Sequence, residues 1–165
     1  MNRSSFSLAK FNLTNNDCAV RWNQHARKLA EKHNVELTLI CAVAKDLPLP
    51  DNSYDAAVCT LTLCSAKSPE KAIQEIVRVL KPGGKFFFLE HVLAKNNAFK
   101  RALQCIVEPF HIFRGGDCCV IRDTEGSLRG YPLLSEVNVR RADIPRVRVA
   151  TDHIEGVAIK AKEPL

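Results

Sequence analysis

Four short stretches of this sequence carry residue types that could do chemistry, and each closes or follows an apolar run. Asp17 follows FNLTNN; a carboxylate there either caps a helix or accepts hydrogen bonds from both hydroxyls of a ribose. In CAVAKDLPLP the apolar run gives way at Val43, Ala44 and Lys45 to a proline-bounded loop that could lie over an adenine. Thr60 and Thr62, in CTLTLCSAK, either offer hydroxyls to a ligand or simply pack as strand threonines. Glu90-His91 ends KFFFLEHV, and imidazole is the side chain whose charge changes nearest neutral pH.

The seven cysteines give no metal-binding pattern by spacing. None sits in a Cys-x-x-Cys pair, and the adjacent Cys118 and Cys119 have no second pair at ligand spacing, so no metal site is expected. Cys41, Cys59 and Cys64 lie in apolar runs, where a free thiol behaves as a small hydrophobe. A reducing, cytosol-facing compartment follows from that usage. The net charge of +6 comes mostly from the last third, where RRADIPRVRV concentrates basic residues between apolar ones. That alternation suits the solvated face of an edge strand, and aromatics for base stacking are scarce, so no nucleic-acid partner is expected. No apolar run approaches the roughly 18 residues needed to span a bilayer, which predicts a soluble chain without a membrane span.

The elements that must position these residues follow from periodicity. At 165 residues and 46% hydrophobic content the chain has the size of one domain, with no linker dividing it. A helix is expected from Asp17 to about His33, and VELTLICAV reads as a buried strand. A second strand covers YDAAVCTLTLC. Ser68 as N-cap, Pro69 at the first turn and the stripe Ile73, Ile76, Val77 and Leu80 predict the clearest helix. Pro82-Gly83-Gly84 ends it, one glycine taking positive φ, and KFFFLEHV is the next strand. NAFKRALQCIVEPFHIF is helical up to Pro109, and two β segments close the chain, the last antiparallel. Continuous apolar strands alternating with helices predict an α/β, Rossmann-like, mostly parallel sheet with helices on both faces.

In such a sheet ligands bind beyond the carboxyl ends of the strands. There the pattern LPLPDNSYDAAV, followed by SPEKAIQEIVRVLKPGGKFFFLEHV, resembles the class I S-adenosylmethionine-dependent methyltransferases of the type-11 branch, over residues 15–92. LCSAKSP, FLEHV, GDCCVIRDT and HIEGVAIK are similar to the small membrane-associated thiol S-methyltransferases called methyltransferase-like 7. The resemblance implies S-adenosyl-L-methionine as cofactor and a small-molecule acceptor, a thiol. It gives Asp17 the ribose role, places Val43, Ala44 and Lys45 near the adenine, and lines the methionine end with Thr60 to Leu63. At Val43 the family carries an acidic residue, and valine has no side-chain acceptor for the adenine amino group. His91 would stand beside the transferred methyl, either assisting thiol deprotonation with Glu90 orienting it, or merely hydrogen-bonding at a strand end. Residues 93–133 would form an acceptor-side insert within a single domain, 1–165. The implied place is the cytoplasm or the cytosolic face of an intracellular membrane.

The Gly83-Gly84 turn is not the glycine loop that cradles a cofactor, and no glycine precedes Gly83. Residues 1–16 are too few for the family's first strand, its loop and the second strand. A sheet lacking that strand is expected to expose edges suited to a protein partner or to self-association. A non-catalytic methyltransferase-like chain is therefore the alternative to an enzyme. A nicotinamide-binding reading requires the same absent turn.

Overall fold

The computed structural model describes residues 10–11, 20–114, 118–142, 144 and 151–162. In chain order these form β1 (Lys10–Phe11), α1 (Val20–Lys32), β2 (Cys41–Ala42), β3 (Tyr54–Thr60), α2 (Pro69–Val79) and β4 (Leu80–Val92). Then follow α3 (Ala98–Arg114), α4 (Thr124–Arg129), β5 (Leu134–Ala142) and β6 (Asp152–Lys160). The main sheet has the order β3-β4-β6-β5, with β3 parallel to β4 and the other two pairings antiparallel. A short parallel pair, β1 with β2, stands apart. Among the described residues no strand joins β2 to β3. The mixed α/β class and the antiparallel closing strand are as the sequence implies, and the basic stretch before position 143 lies in β5, an edge strand of alternating burial.

Alternation along β4 sets the two faces of the sheet. Phe86, Phe88 and Glu90 point to one side and are 0%, 4% and 0% exposed. Phe86 and Phe88 meet Ile154 and Ala158 of β6, Ile73, Ile76 and Val77 of α2, and Leu128 of α4 in one apolar cluster. On the other side Val58 and Phe87 are open to solvent, so β3 leaves both an edge and an apolar face uncovered among the described residues. Gly156, opposite Phe88, is where the sheet is tightest: a Cβ there would lie 2.1 Å from the Asn138 carbonyl oxygen.

Four local outcomes depart from the sequence reading. YDAAVCTLTLC is strand only over Tyr54–Thr60, because the backbone turns left-handed at Leu61. VELTLICAV is strand only at Cys41–Ala42, because a parallel strand needs ladder partners and this one pairs with two residues of β1. Helix α2 stops at Val79, before Pro82, since a residue preceding proline avoids helical geometry; Leu80 already pairs with Tyr54. Gly83 takes φ +77 in the turn that follows, as expected. Helix α3 runs through Pro109 to Arg114. Proline deletes one N–H, but buried Gln104 and Glu108 tie the helix to neighbouring backbone before that point.

Arg78 fixes the loop after β2 to α2. Its guanidinium donates to the carbonyls of Leu47 and Leu49 at 2.9 and 2.8 Å, and pairs with Glu75 and Asp51. Glu75 in turn accepts from Leu47 N at 2.8 Å, and the hydrogen bonds from Arg78, ahead of the one from Leu47, hold its carboxyl below the usual range. Arg78→Lys keeps the charge but loses the planar fork, and is expected to lower stability by about 1–2 kcal/mol. A urea midpoint equal to that of the unaltered chain would remove this clamp from the account.

Candidate functional site

Strands β3 and β4 run parallel, so their carboxyl ends lie at the same edge of the sheet, Thr60 opposite Leu89 and β4 running on to Val92. Immediately after β3 the backbone of Leu61 takes φ +51, a left-handed conformation that costs a branched side chain about 1 kcal/mol. Three hydrogen bonds just beyond it offset that strain. The backbone N–H groups of Thr62, Leu63 and Cys64 all donate to the carboxylate of Glu90, at 3.0, 3.0 and 2.9 Å. The Cys59 thiol donates to the same carboxylate at 3.2 Å. Burial, and then the Glu90 charge, push that thiol's pKa well up, so Cys59 is an inert donor.

This corrects the expectation that Glu90 orients His91. Neighbouring strand residues face opposite sides of a sheet, so the Glu90 carboxylate turns into the core while His91 faces the other way. Glu90 is a positioning residue for the turn after β3. His91, 9% exposed, packs against His153, its direct partner across the β4–β6 ladder, with ring centroids 4.4 Å apart and the rings tilted by 44°. Its Nδ1 lies 3.2 Å from Cys118 Sγ and 3.5 Å from Cys64 Sγ, and the two sulfurs are 3.6 Å apart.

Cysteines 54 residues apart meet because two loops are stitched together. Cys119 N donates to the Cys64 carbonyl at 2.9 Å, and Arg122 donates to the carbonyls of Leu63 and Ala66 at 2.8 and 2.6 Å. Helix α3 holds the second loop from behind. Glu108 accepts from Val120 N at 2.8 Å, while Gln104 donates to the carbonyls of Val120 and Val92. The hydrogen bond between the sulfurs, followed by contact with Ser65, lowers the Cys118 pKa against the effect of burial. The same sulfur–sulfur bond, with burial, raises that of Cys64.

The other residues singled out from sequence are placed as follows. Asp17 lies outside the described residues. Thr60 and Leu61 are exposed at the end of β3. Val43 and Lys45 are exposed, with Val43 bridged to Asp46, but Ala44 between them is buried in the main core beside Cys59 and Leu63. Sequence spacing missed Cys64, Cys118 and His153. The sequence carried no signal for Cys64, which reads as apolar filling in the strand YDAAVCTLTLC, or for Cys118, whose neighbour Cys119 has no second pair at ligand spacing.

Residues 3–88 match the family described as methyltransferase domain, which is more than half of the chain. The chain belongs to that family. Similar curated proteins include the human thiol S-methyltransferase TMT1B, 36% identical over 137 residues, covering 81% of this chain and 56% of that protein. Human thiol S-methyltransferase TMT1A is 30% identical over 138 residues, with the same coverage. The chain thus spans about half the length of these relatives. Among solved structures, the YcgJ protein of Bacillus subtilis superposes with a TM-score of 0.67 at 15% identity, over 94% of this chain and 82% of that one. An arsenic(III) S-adenosylmethionine methyltransferase from Chlamydomonas reinhardtii gives 0.61 at 16% identity, covering 96% and 56%. Likeness at that identity shows the Rossmann-like fold. The cofactor of this methyltransferase family is S-adenosyl-L-methionine. The family match ends at Phe88, so His91 and Cys118 lie beyond it, whereas Cys64 lies within.

The described residues fit that cofactor in part. Thr60 and Leu61 present an exposed hydroxyl residue and a left-handed turn at the strand end where a ligand's edge would lie. Val43 offers no side-chain acceptor for an adenine amino group, so any such contact falls to backbone. No helix among the described residues is long and apolar enough to cross a membrane.

Proposed function

We propose that this chain transfers a methyl group from S-adenosyl-L-methionine to a small-molecule thiol. The observation that supports it best is the similarity to two human thiol S-methyltransferases over 81% of the chain, joined to a His–Cys cluster at the strand end where an acceptor would stand. The bound cofactor supplies an electrophilic methyl on a sulfonium. The chain's own residues have three tasks. Thr60 and Leu61 shape the wall at the end of β3, and Glu90 holds that wall in place from the core. His91 assists loss of the acceptor's proton, because the thiolate is the nucleophile and an ordinary thiol is mostly protonated at neutral pH. Residues 93–133 carry the acceptor side, with Gln104 and Glu108 of α3 holding the Cys118 loop against His91.

Calorimetric titration with S-adenosylhomocysteine is the direct test, followed by transfer of labelled methyl to a panel of small thiols. Micromolar binding with methylation of a thiol is the expected result. Binding with transfer only to oxygen or nitrogen acceptors would overturn the acceptor class. A second reading, a non-catalytic methyltransferase-like chain, is favoured by Val43, which has no side-chain acceptor for the adenine amino group. It expects no detectable heat from S-adenosylhomocysteine.

A further inference from the structure

We propose that Cys64, His91 and Cys118 form a three-ligand site for a soft divalent cation of the zinc class, with a fourth coordination position open. Among the described residues these are the ones whose His, Cys or carboxylate ligand atoms cluster in this way, all within 4.8 Å of one another. Zinc bound by thiolate at about 2.3 Å and by imidazole at about 2.0–2.1 Å in a tetrahedron requires sulfur–sulfur edges of about 3.8 Å and sulfur–nitrogen edges of about 3.5 Å. The observed edges are 3.6 Å between the sulfurs, and 3.5 and 3.2 Å from Nδ1 to Cys64 and Cys118. A disulfide, by contrast, needs the sulfurs at about 2.05 Å, well short of their separation here.

The donor chemistry fits as well as the spacing. Two thiolates balance the charge of a dication, and a thiolate–imidazole set selects zinc-class metals over magnesium or calcium. The ligands are 0%, 9% and 7% exposed, so they bind in a shielded environment. Each is also held by hydrogen bonds that do not depend on the metal. Glu90 fixes Cys64 through its backbone N–H, the β4–β6 ladder fixes His91, and Glu108 holds the backbone two residues beyond Cys118. Preorganisation of that kind lets a cation enter a formed cage, with loss of two thiol protons to solvent.

Three protein ligands and one open position are the arrangement of zinc sites that take an exogenous ligand. An acceptor thiol entering there would lose its proton to solvent and bind as thiolate, so His91 would assist deprotonation as a metal ligand, through the cation it holds. This use of the open position rests on the thiol-transfer reading above; the metal site itself does not.

The experiment is equilibrium dialysis of the full chain against Zn²⁺ and separately Co²⁺, with metal content measured after removal of unbound ions. One equivalent of zinc is expected, along with the intense thiolate-to-cobalt charge-transfer absorption of a tetrahedral site. Cys64→Ser and Cys118→Ser should each lower affinity by at least tenfold, whereas Cys105→Ser and Cys119→Ser leave it unchanged. On the unaltered chain, which sidesteps any folding defect of the variants, bound zinc should protect Cys64 and Cys118 from iodoacetamide while Cys105 still reacts, as mapped by mass spectrometry. Cobalt spectra without thiolate bands, or equal alkylation of Cys118 with and without zinc, would overturn the site and show hydrogen-bonded thiols only. Added 2-mercaptoethanol should intensify the charge-transfer band; a metal-loaded protein whose band ignores the thiol would overturn the open-position role alone. Loss of S-adenosylhomocysteine binding would strike the functional reading and leave these metal readouts untouched.

Discussion

Glu90→Ala should abolish a stable native fold. The carboxylate is fully buried and accepts from three successive backbone N–H groups and one thiol, so its removal leaves two buried N–H donors and a part-buried third without partners. Each unsatisfied donor costs about 1–3 kcal/mol, before the cavity is counted, which places the total above about 4 kcal/mol. A domain of this kind holds only about 5–15 kcal/mol in all. Glu90→Gln separates the charge from the shape. Its amide oxygen can still accept at the Thr62–Leu63 side, but its NH₂ then confronts the N–H of Cys64, and a loss of about 2–3 kcal/mol is expected. Urea unfolding followed by far-UV circular dichroism checks both variants. A Glu90→Gln midpoint matching that of the unaltered chain would show that the turn after β3 stands without this carboxylate. Because that turn carries Leu61 and Cys64, cofactor-analogue affinity should fall along with stability in the glutamine variant.

The second large effect is a loss of stability on mild acidification. His153 is 5% exposed, and burial together with the facing His91 ring lowers its pKa from the ordinary 6.5 to about 4. Asp152 opposes that shift and Lys100 adds to it. Below pH 6.5 the unfolded chain therefore takes up a proton that the folded chain refuses, and the difference persists until about pH 4. Stability is full above pH 6.5 and falls steadily toward pH 4, by up to about 3 kcal/mol from this one group. The carboxyls of Glu75 and Asp123, held low by Arg78 and Lys95 respectively, lose their stabilising charge only in a more acidic window. The interval from pH 6.5 to 5 thus reports on the histidine. Denaturation of the unaltered chain and of His153→Gln across that interval isolates the effect. Equal slopes for the two proteins would assign it elsewhere.

These expectations rest on features with unequal visibility in the sequence. Helix α2 was legible because everything that makes it lies within a dozen residues: a proline at the first turn, an apolar stripe at helical spacing and a proline beyond the end. The antiparallel closing strands were legible by the same local logic, their alternation matching an edge and its neighbour. VELTLICAV was not, since strand formation depends on a partner elsewhere, and the apolar pattern is indifferent to whether that partner is present.

For the site, local sequence determined residue types and one strand end, that Glu90 and His91 close a strand, whereas the strand read as running to Cys64 ends at Thr60. Only the tertiary structure decided what those residues do. A strand's two-residue period sends Glu90 into the core and His91 to the opposite face, dividing a pair that looks joined in the sequence. Cys64 and Cys118, 54 positions apart, meet at His91 through a backbone hydrogen bond between loops and the buried polar side chains of α3. Spacing along a chain encodes contacts within one helix or strand. Contacts between loops depend on where the sheet carries their ends, and that information belongs to the packed fold.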